Sequence, residues 1–139
     1  MKVPHNFMCC LCAACPKAGG CLRHLAATEC APDREFFFCL NPNFPGAGST
    51  DCSAFRPAEK LRFARGMTRM FDEIPLRKAM ELKSRVVEYF GASRFYNYLV
   101  KGRYPVSPED QEGVARLFAK AGIADPPVFD AYEDTYDWR

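Results

Sequence analysis

Read for the spacing of its apolar positions, the chain changes character near Pro57. Beyond it Ala64, Met67, Met70, Phe71 and Ile74 recur at three- and four-residue steps, the repeat of one buried helix face. Pro75 interrupts the pattern. Leu76, Ala79, Met80, Val86, Val87 and Phe90 then predict a second helix, with Gly91 where a C-terminal glycine is expected. Ser93 is placed to cap a shorter helix through residues 98–100, closed by Gly102. The sharpest local signal is "SPED" at 107–110. Ser107 suits an N-cap, Pro108 the first helical position and Asp110 the acid of a capping box. That helix is expected to reach Ala121 and to end at Gly122, with Ile123 packing back.

Before Pro57 no such repeat exists. The one strand candidate is "REFFFCL" at 34–40, set between Pro32-Asp33 and the breaker series "NPNFPGAGST". Aliphatic residues are few here: Val3, Leu11, Leu22, Leu25 and Leu40. In the tail, Phe129, Tyr132, Tyr136 and Trp138 predict a segment docked on the helices. The expected fold is mostly α: a metal-clamped, Cys-rich segment (1–55) with a short strand, packed on a small helical bundle (56–139). The two parts would form one compact domain.

Composition adds exclusions. At 139 residues with 48% hydrophobic and 14% aromatic side chains, the chain is a folded protein rather than a disordered one. Its net charge of +2 hides an uneven spread. Residues 56–103 carry twelve basic against five acidic groups, and residues 104–139 three against eight. A basic middle beside an acidic tail suits either a polyanion ligand or internal neutralisation. No stretch approaches the length of a membrane span. The apolar run at 7–15 follows Lys2 but has Pro4-His5-Asn6 in front and sulfur in place of leucine, which argues against a secretory leader. A cytoplasmic location is therefore expected, and clustered thiols would stay reduced there.

The cluster "MCCLCAACPKAGGC" holds five of the eight cysteines in residues 8–21 and admits three registers. Cys9, Cys12 and Cys15 begin an iron–sulfur run, but Gly19 stands where its fourth cysteine belongs and Pro16 comes early. Cys12 and Cys15 have the spacing of a redox dithiol without a βαβ unit around them. Cys10, Cys15 and Cys21, with Cys52 far along the chain, form the third. The energetic case is for a metal. Ordering each residue costs roughly 1–2 kcal/mol, which so thin a core cannot offset, whereas a thiolate zinc site supplies about 10–16 kcal/mol. Zinc takes four such ligands in a tetrahedron. An iron–sulfur cluster is the alternative cofactor, and buried thiols without metal are the plain alternative. Cys39, after three phenylalanines, reads as a small core residue.

Several segments together resemble an uncharacterised bacterial family, a domain of unknown function of Bacteroidales-type genomes. They are "CPKAGGCLRHLAA" (15–27), "NP" (41–42), "FRPAEKLRFARGMTRMFDEIP" (55–75), "YLVKGRYPVSPEDQ" (98–111) and "FDAYEDTYDW" (129–138). The resemblance implies the third register, with Cys10, Cys15, Cys21 and Cys52 as metal ligands and Cys9, Cys12, Cys30 and Cys39 as extras. It implies no activity.

Residues 86–123 also look like small helix-turn-helix regulators: a helix, a turn with Gly91, a basic and aromatic second helix, then Lys101-Gly102 and the capped helix. That resemblance makes Arg94, Phe95, Tyr96 and Asn97 the start of a recognition helix, and Lys101 and Arg103 phosphate contacts. Asn97 falls where the motif has a buried apolar residue, and Val87 where it has a small one. On the alternative reading Tyr96, Tyr98 and Leu99 are core and the basic residues a solvated face. Enzyme signatures are missing. There is no phosphate-binding glycine loop, no G-x-S-x-G and no H-E-x-x-H. A Cys21–His24 nucleophile would lack an orienting third group. The carboxylates Asp130, Glu133, Asp134 and Asp137 are interleaved with aromatics. The expected function is a non-enzymatic metal-binding module with nucleic acid as its candidate ligand. The alternatives are a thiol-based redox or metal sensor, or a structural, partner-binding protein.

Overall fold

The computed structural model describes residues 1–29 and 34–139; Cys30, Pro32 and Asp33 lie outside the described residues. Along the chain come α1 (Leu22–Glu29), β1 (Lys60–Arg65), α2 (Leu76–Phe90), α3 (Ala92–Arg94), α4 (Pro108–Lys120) and β2 (Ala131–Tyr136). A 3-10 turn, Ala18–Gly20, precedes α1, and a π turn, Phe95–Leu99, continues α3. The two strands pair antiparallel. Helices and a small sheet therefore make up the fold, and no described helix is long and apolar enough to cross a membrane.

The chain divides into two compact units, Met1–Lys60 with Tyr136–Arg139, and Leu61–Thr135. In the first, Val3, Phe7, Cys9, Leu22, Ala26 and Ala27 form the core, with Phe37, Ala58, Tyr136 and Trp138 packed against it. Trp138 meets Phe7 edge-on at 5.0 Å. The chain's last residues therefore complete a core that its first residues begin.

In the second unit, Leu82, Val86 and Phe90 of α2, Phe95 and Leu99 of the π turn, and Val114 and Phe118 of α4 enclose a core shared with Ala64, Met67, Met70, Val106 and Phe129. The Ser107 hydroxyl accepts from the Asp110 amide at 3.1 Å, as the cap requires. The acid's return bond is replaced. Asp110 instead accepts from the Tyr89 hydroxyl and pairs with Arg94. At the other end Gly122 takes φ +75° and the Ile123 amide donates to the Phe118 carbonyl at 3.0 Å, closing α4.

Three expectations are corrected. Residues 57–74 are not a helix. Residues 60–65 form β1, Gly66 turns at φ +75°, and successive turns at 69–72 and 71–74 carry Met70, Phe71 and Ile74 inward. Turns closing over three residues bury side chains at nearly the spacing of a helix face, so the pattern was ambiguous. Pairing settled it: the Ala64 amide donates to Val106 and the Val106 amide back to Ala64, at 3.0 and 2.8 Å. Residues 34–40 are not a strand but a single parallel bridge, in which the Cys9 amide donates to Phe38 and the Leu40 amide to Cys9. Phe37 turns to the core while Phe36 and Phe38 stay 85% and 66% exposed. Cys39, read as core, is exposed. The tail packs on helices as expected, Phe129 in the core of α2 and α4 and Trp138 against the core that holds α1, and it also pairs with β1 as a strand.

Candidate functional site

The four cysteines at 10, 15, 21 and 52 are brought together by short hydrogen-bonded turns. The Cys15 amide donates to Cys12 and the Ala18 amide to Cys15, and the 3-10 turn ends where the Cys21 amide donates to Ala18. Cys21 stands directly before α1, its carbonyl accepting from His24 and Leu25 at 3.1 and 3.0 Å. The Cys10 amide donates to the Arg23 carbonyl at 2.9 Å, laying the first arm against the helix start. A turn, Phe55 amide to Cys52 carbonyl, presents Cys52. An antiparallel bridge, Cys21 with Pro57, ties that arm in, with the Leu22 amide donating to Arg56 and the Ala58 amide to Gly20.

Cys10, Cys15, Cys21 and Cys52 line one cavity of about 20 Å³. That is room for one water-sized body. Among the described residues no group of three or more His, Cys, Asp or Glu side chains is arranged to hold a metal ion, so the four thiols share a cavity and do not form a ligand set. Lys17 and Arg23 also line the cavity. Arg23 spans its walls, Nε donating to the Ala54 carbonyl at 2.7 Å and Nη1 to the Met8 carbonyl at 2.8 Å, over the Phe7 ring. Burial pushes the Cys10 thiol up, and the thiols of Cys12, Cys21 and Cys39 add to the push against a hydrogen bond from the Cys12 backbone. Burial and Arg56 lower the Arg23 guanidinium, while Cys21, Cys52 and Cys9 act the other way.

The remaining described cysteines sit elsewhere. Cys9 is fully buried in the core, its thiol 3.8 Å from the Phe7 carbonyl oxygen. Cys12 and Cys39 line a second, apolar cavity of about 230 Å³ with Cys10, Leu11, Leu40 and Pro42. Cys12 packs so closely on Gly48 that a Cβ there would stand 2.8 Å from its sulfur. None of the described cysteines is in a disulfide. His24 turns Nδ1 to the Cys10 carbonyl at 3.1 Å, and His5 is exposed.

The second group of residues surrounds the π turn. Arg94 pairs with Asp110 at 3.7 Å and lies over Phe90, and the Asn97 amide donates to the Ser93 hydroxyl at 3.3 Å. Tyr96 is half-exposed, with the Lys83 ammonium 5.9 Å from its ring centre. Lys101 and Arg103 are exposed, and no ion pair among the described residues engages them. Three acids of the tail have partners other than these two cations, Asp137 pairing with Arg139. Glu133 pairs with Arg65 at 2.6 Å and Asp130 accepts from Thr68. The structure adds a feature absent from the sequence reading, in which Tyr98 was core on the alternative reading and Tyr104 had no role. Tyr98 and Tyr104 stack face to face, 4.5 Å apart and 5° from parallel. Neither a helix nor a strand brings side chains six residues apart into contact, so the chain reversal at Gly102 pairs them.

The model of one protein family, described as a family of unknown function, matches residues 1–138. No curated protein and no solved structure matches the chain.

Proposed function

We propose that this chain, which belongs to DUF6078, a family of unknown function, is a non-enzymatic metal-binding module that takes one zinc ion through Cys10, Cys15, Cys21 and Cys52. The observation that carries this reading is that these four thiols, 42 positions apart at the extremes, line one ion-sized cavity. Lys17 and Arg23 offset the negative charge that four thiolates would leave around a divalent ion. Thiolate ligands persist in a reducing compartment, so the reading carries a cytoplasmic location with it. Elemental analysis of untagged protein tests it: about one zinc per chain is expected. Its removal by a chelator should abolish cooperative unfolding of the Cys-rich unit. Metal-free protein that unfolds with unchanged cooperativity would overturn the reading.

A second reading, nucleic-acid binding by the other unit, is favoured by Lys101 and Arg103. They are exposed and unpaired among the described residues, while Glu133 and Asp130 of the tail are engaged by Arg65 and Thr68. Salt-dependent retention on immobilised DNA tests it, since released counterions make phosphate contacts salt-sensitive. Salt-independent retention, or none, would remove it.

A further inference from the structure

We propose that the turn from Tyr98 to Tyr104 is a stacking platform for single-stranded nucleic acid. The inference deepens the second reading above and rests on it. Tyr104 already has one ring face covered by Tyr98, yet it remains 53% exposed, so its second face and edge meet solvent. Lys101 and Arg103 flank Gly102 between the two rings in sequence and are exposed. One turn therefore offers an aromatic plane beside two cations.

The turn is also held in place. Gly102 sits at φ +68°, and a Cβ there would stand 3.3 Å from the Gly66 amide nitrogen, so two backbones touch. Arg65 donates through Nη1 to the carbonyls of Gly102 and Arg103, at 3.0 and 3.4 Å, while Glu133 fixes its other nitrogens. The Arg103 amide donates back to the Tyr98 carbonyl at 2.8 Å. A platform ordered before binding loses little conformational freedom on binding.

The chemistry selects the ligand. Cations without acid partners call for phosphate, and an open aromatic face calls for a planar ring. A neutral sugar would use the ring and leave the cations idle. In a duplex the base faces are already stacked on one another, so a protein ring reaches only their edges. Single strands expose those faces, and stacking on tyrosine tolerates any base. The residues suited to reading base edges, Arg94 and Asn97, are meanwhile occupied by Asp110 and Ser93.

Fluorescence anisotropy with a labelled thymidine oligomer of about twelve nucleotides, and with a duplex of equal length, tests the inference. The single strand should bind at least about tenfold more tightly, with affinity falling by about 0.7 log units per log unit of salt for each phosphate contacted. Y104A should weaken it about tenfold without changing that slope, and Y104F should retain it. The K101A/R103A pair should flatten the slope by about 1.4. Should the duplex bind as tightly as the single strand, with Lys101 and Arg103 carrying the salt dependence, the platform falls and the basic surface stands. Absence of binding to both at about 50 mM salt overturns both. The wild-type comparison of strand and duplex needs no variant to fold.

Discussion

The carboxylate of Asp130 closes on Thr68, accepting from its hydroxyl at 2.8 Å and from its backbone amide at 3.1 Å. The Asp130 amide in turn donates to the Gly66 carbonyl at 3.1 Å, so the approach to β2 is fastened to the turn that leaves β1. Gly66 has no room for a side chain, because a Cβ there would collide with the Asp130 carboxylate, and its φ of +75° disfavours any L residue. G66A should therefore lose about 1–2 kcal/mol from backbone conformation alone, with the collision added to it. D130A, which removes exposed hydrogen bonds, should lose about 1 kcal/mol. Thermal unfolding of both variants checks the order, and an equal effect would argue against the close approach.

Arg23 joins the two arms that carry Cys10 and Cys52, through Met8 and Ala54. Lysine keeps the charge but cannot span both carbonyls with one planar group. R23K should destabilise the protein as purified by about 1–3 kcal/mol and weaken zinc in competition with a chromogenic chelator. A variant with wild-type zinc affinity would show that the guanidinium does not organise the cavity.

Cys12 lies between Cys10 and Cys15 in sequence but lines the neighbouring apolar cavity and rests on Gly48. C12S should leave the zinc content unchanged, while C15S should abolish it. The opposite result would transfer the site to the register of Cys9, Cys12 and Cys15.

Burial raises the Tyr89 phenol, and Asp110 raises it further through its charge and the hydrogen bond it accepts. A proton held more tightly when folded stabilises the protein below the unfolded value of about 10, and that contribution is lost as pH rises through the folded value. From about pH 9 to 11 the unfolding temperature of the wild type should fall more steeply than that of Y89F. Parallel curves would mean that the Tyr89–Asp110 contact carries no pH dependence.

The sequence by itself determined whatever depended on near neighbours. Ser107 and Pro108 begin α4, Gly122 ends it, Gly91 ends α2, and the spacing of Leu82, Val86 and Phe90 sets its buried face. These signals are legible because a helix satisfies its own backbone, so its caps and its face are written within one stretch of chain. For the cysteines, spacing left three registers open, and the family resemblance favoured Cys10, Cys15, Cys21 and Cys52, which line one cavity.

Tertiary structure decided the rest. Residues 60–65 form a strand because Val106 and β2 supply the partners for its amides, from 42 and more positions away. The exposure of Phe36 and Phe38 could not be read from their hydrophobicity, since only Phe37 finds a place in the core. The stack of Tyr98 on Tyr104 and the pairing of Asp110 with Tyr89 and Arg94 likewise arise from chain reversals that no period encodes. A strand's hydrogen bonds and a ring's neighbours belong to distant segments, so only the folded chain assigns them.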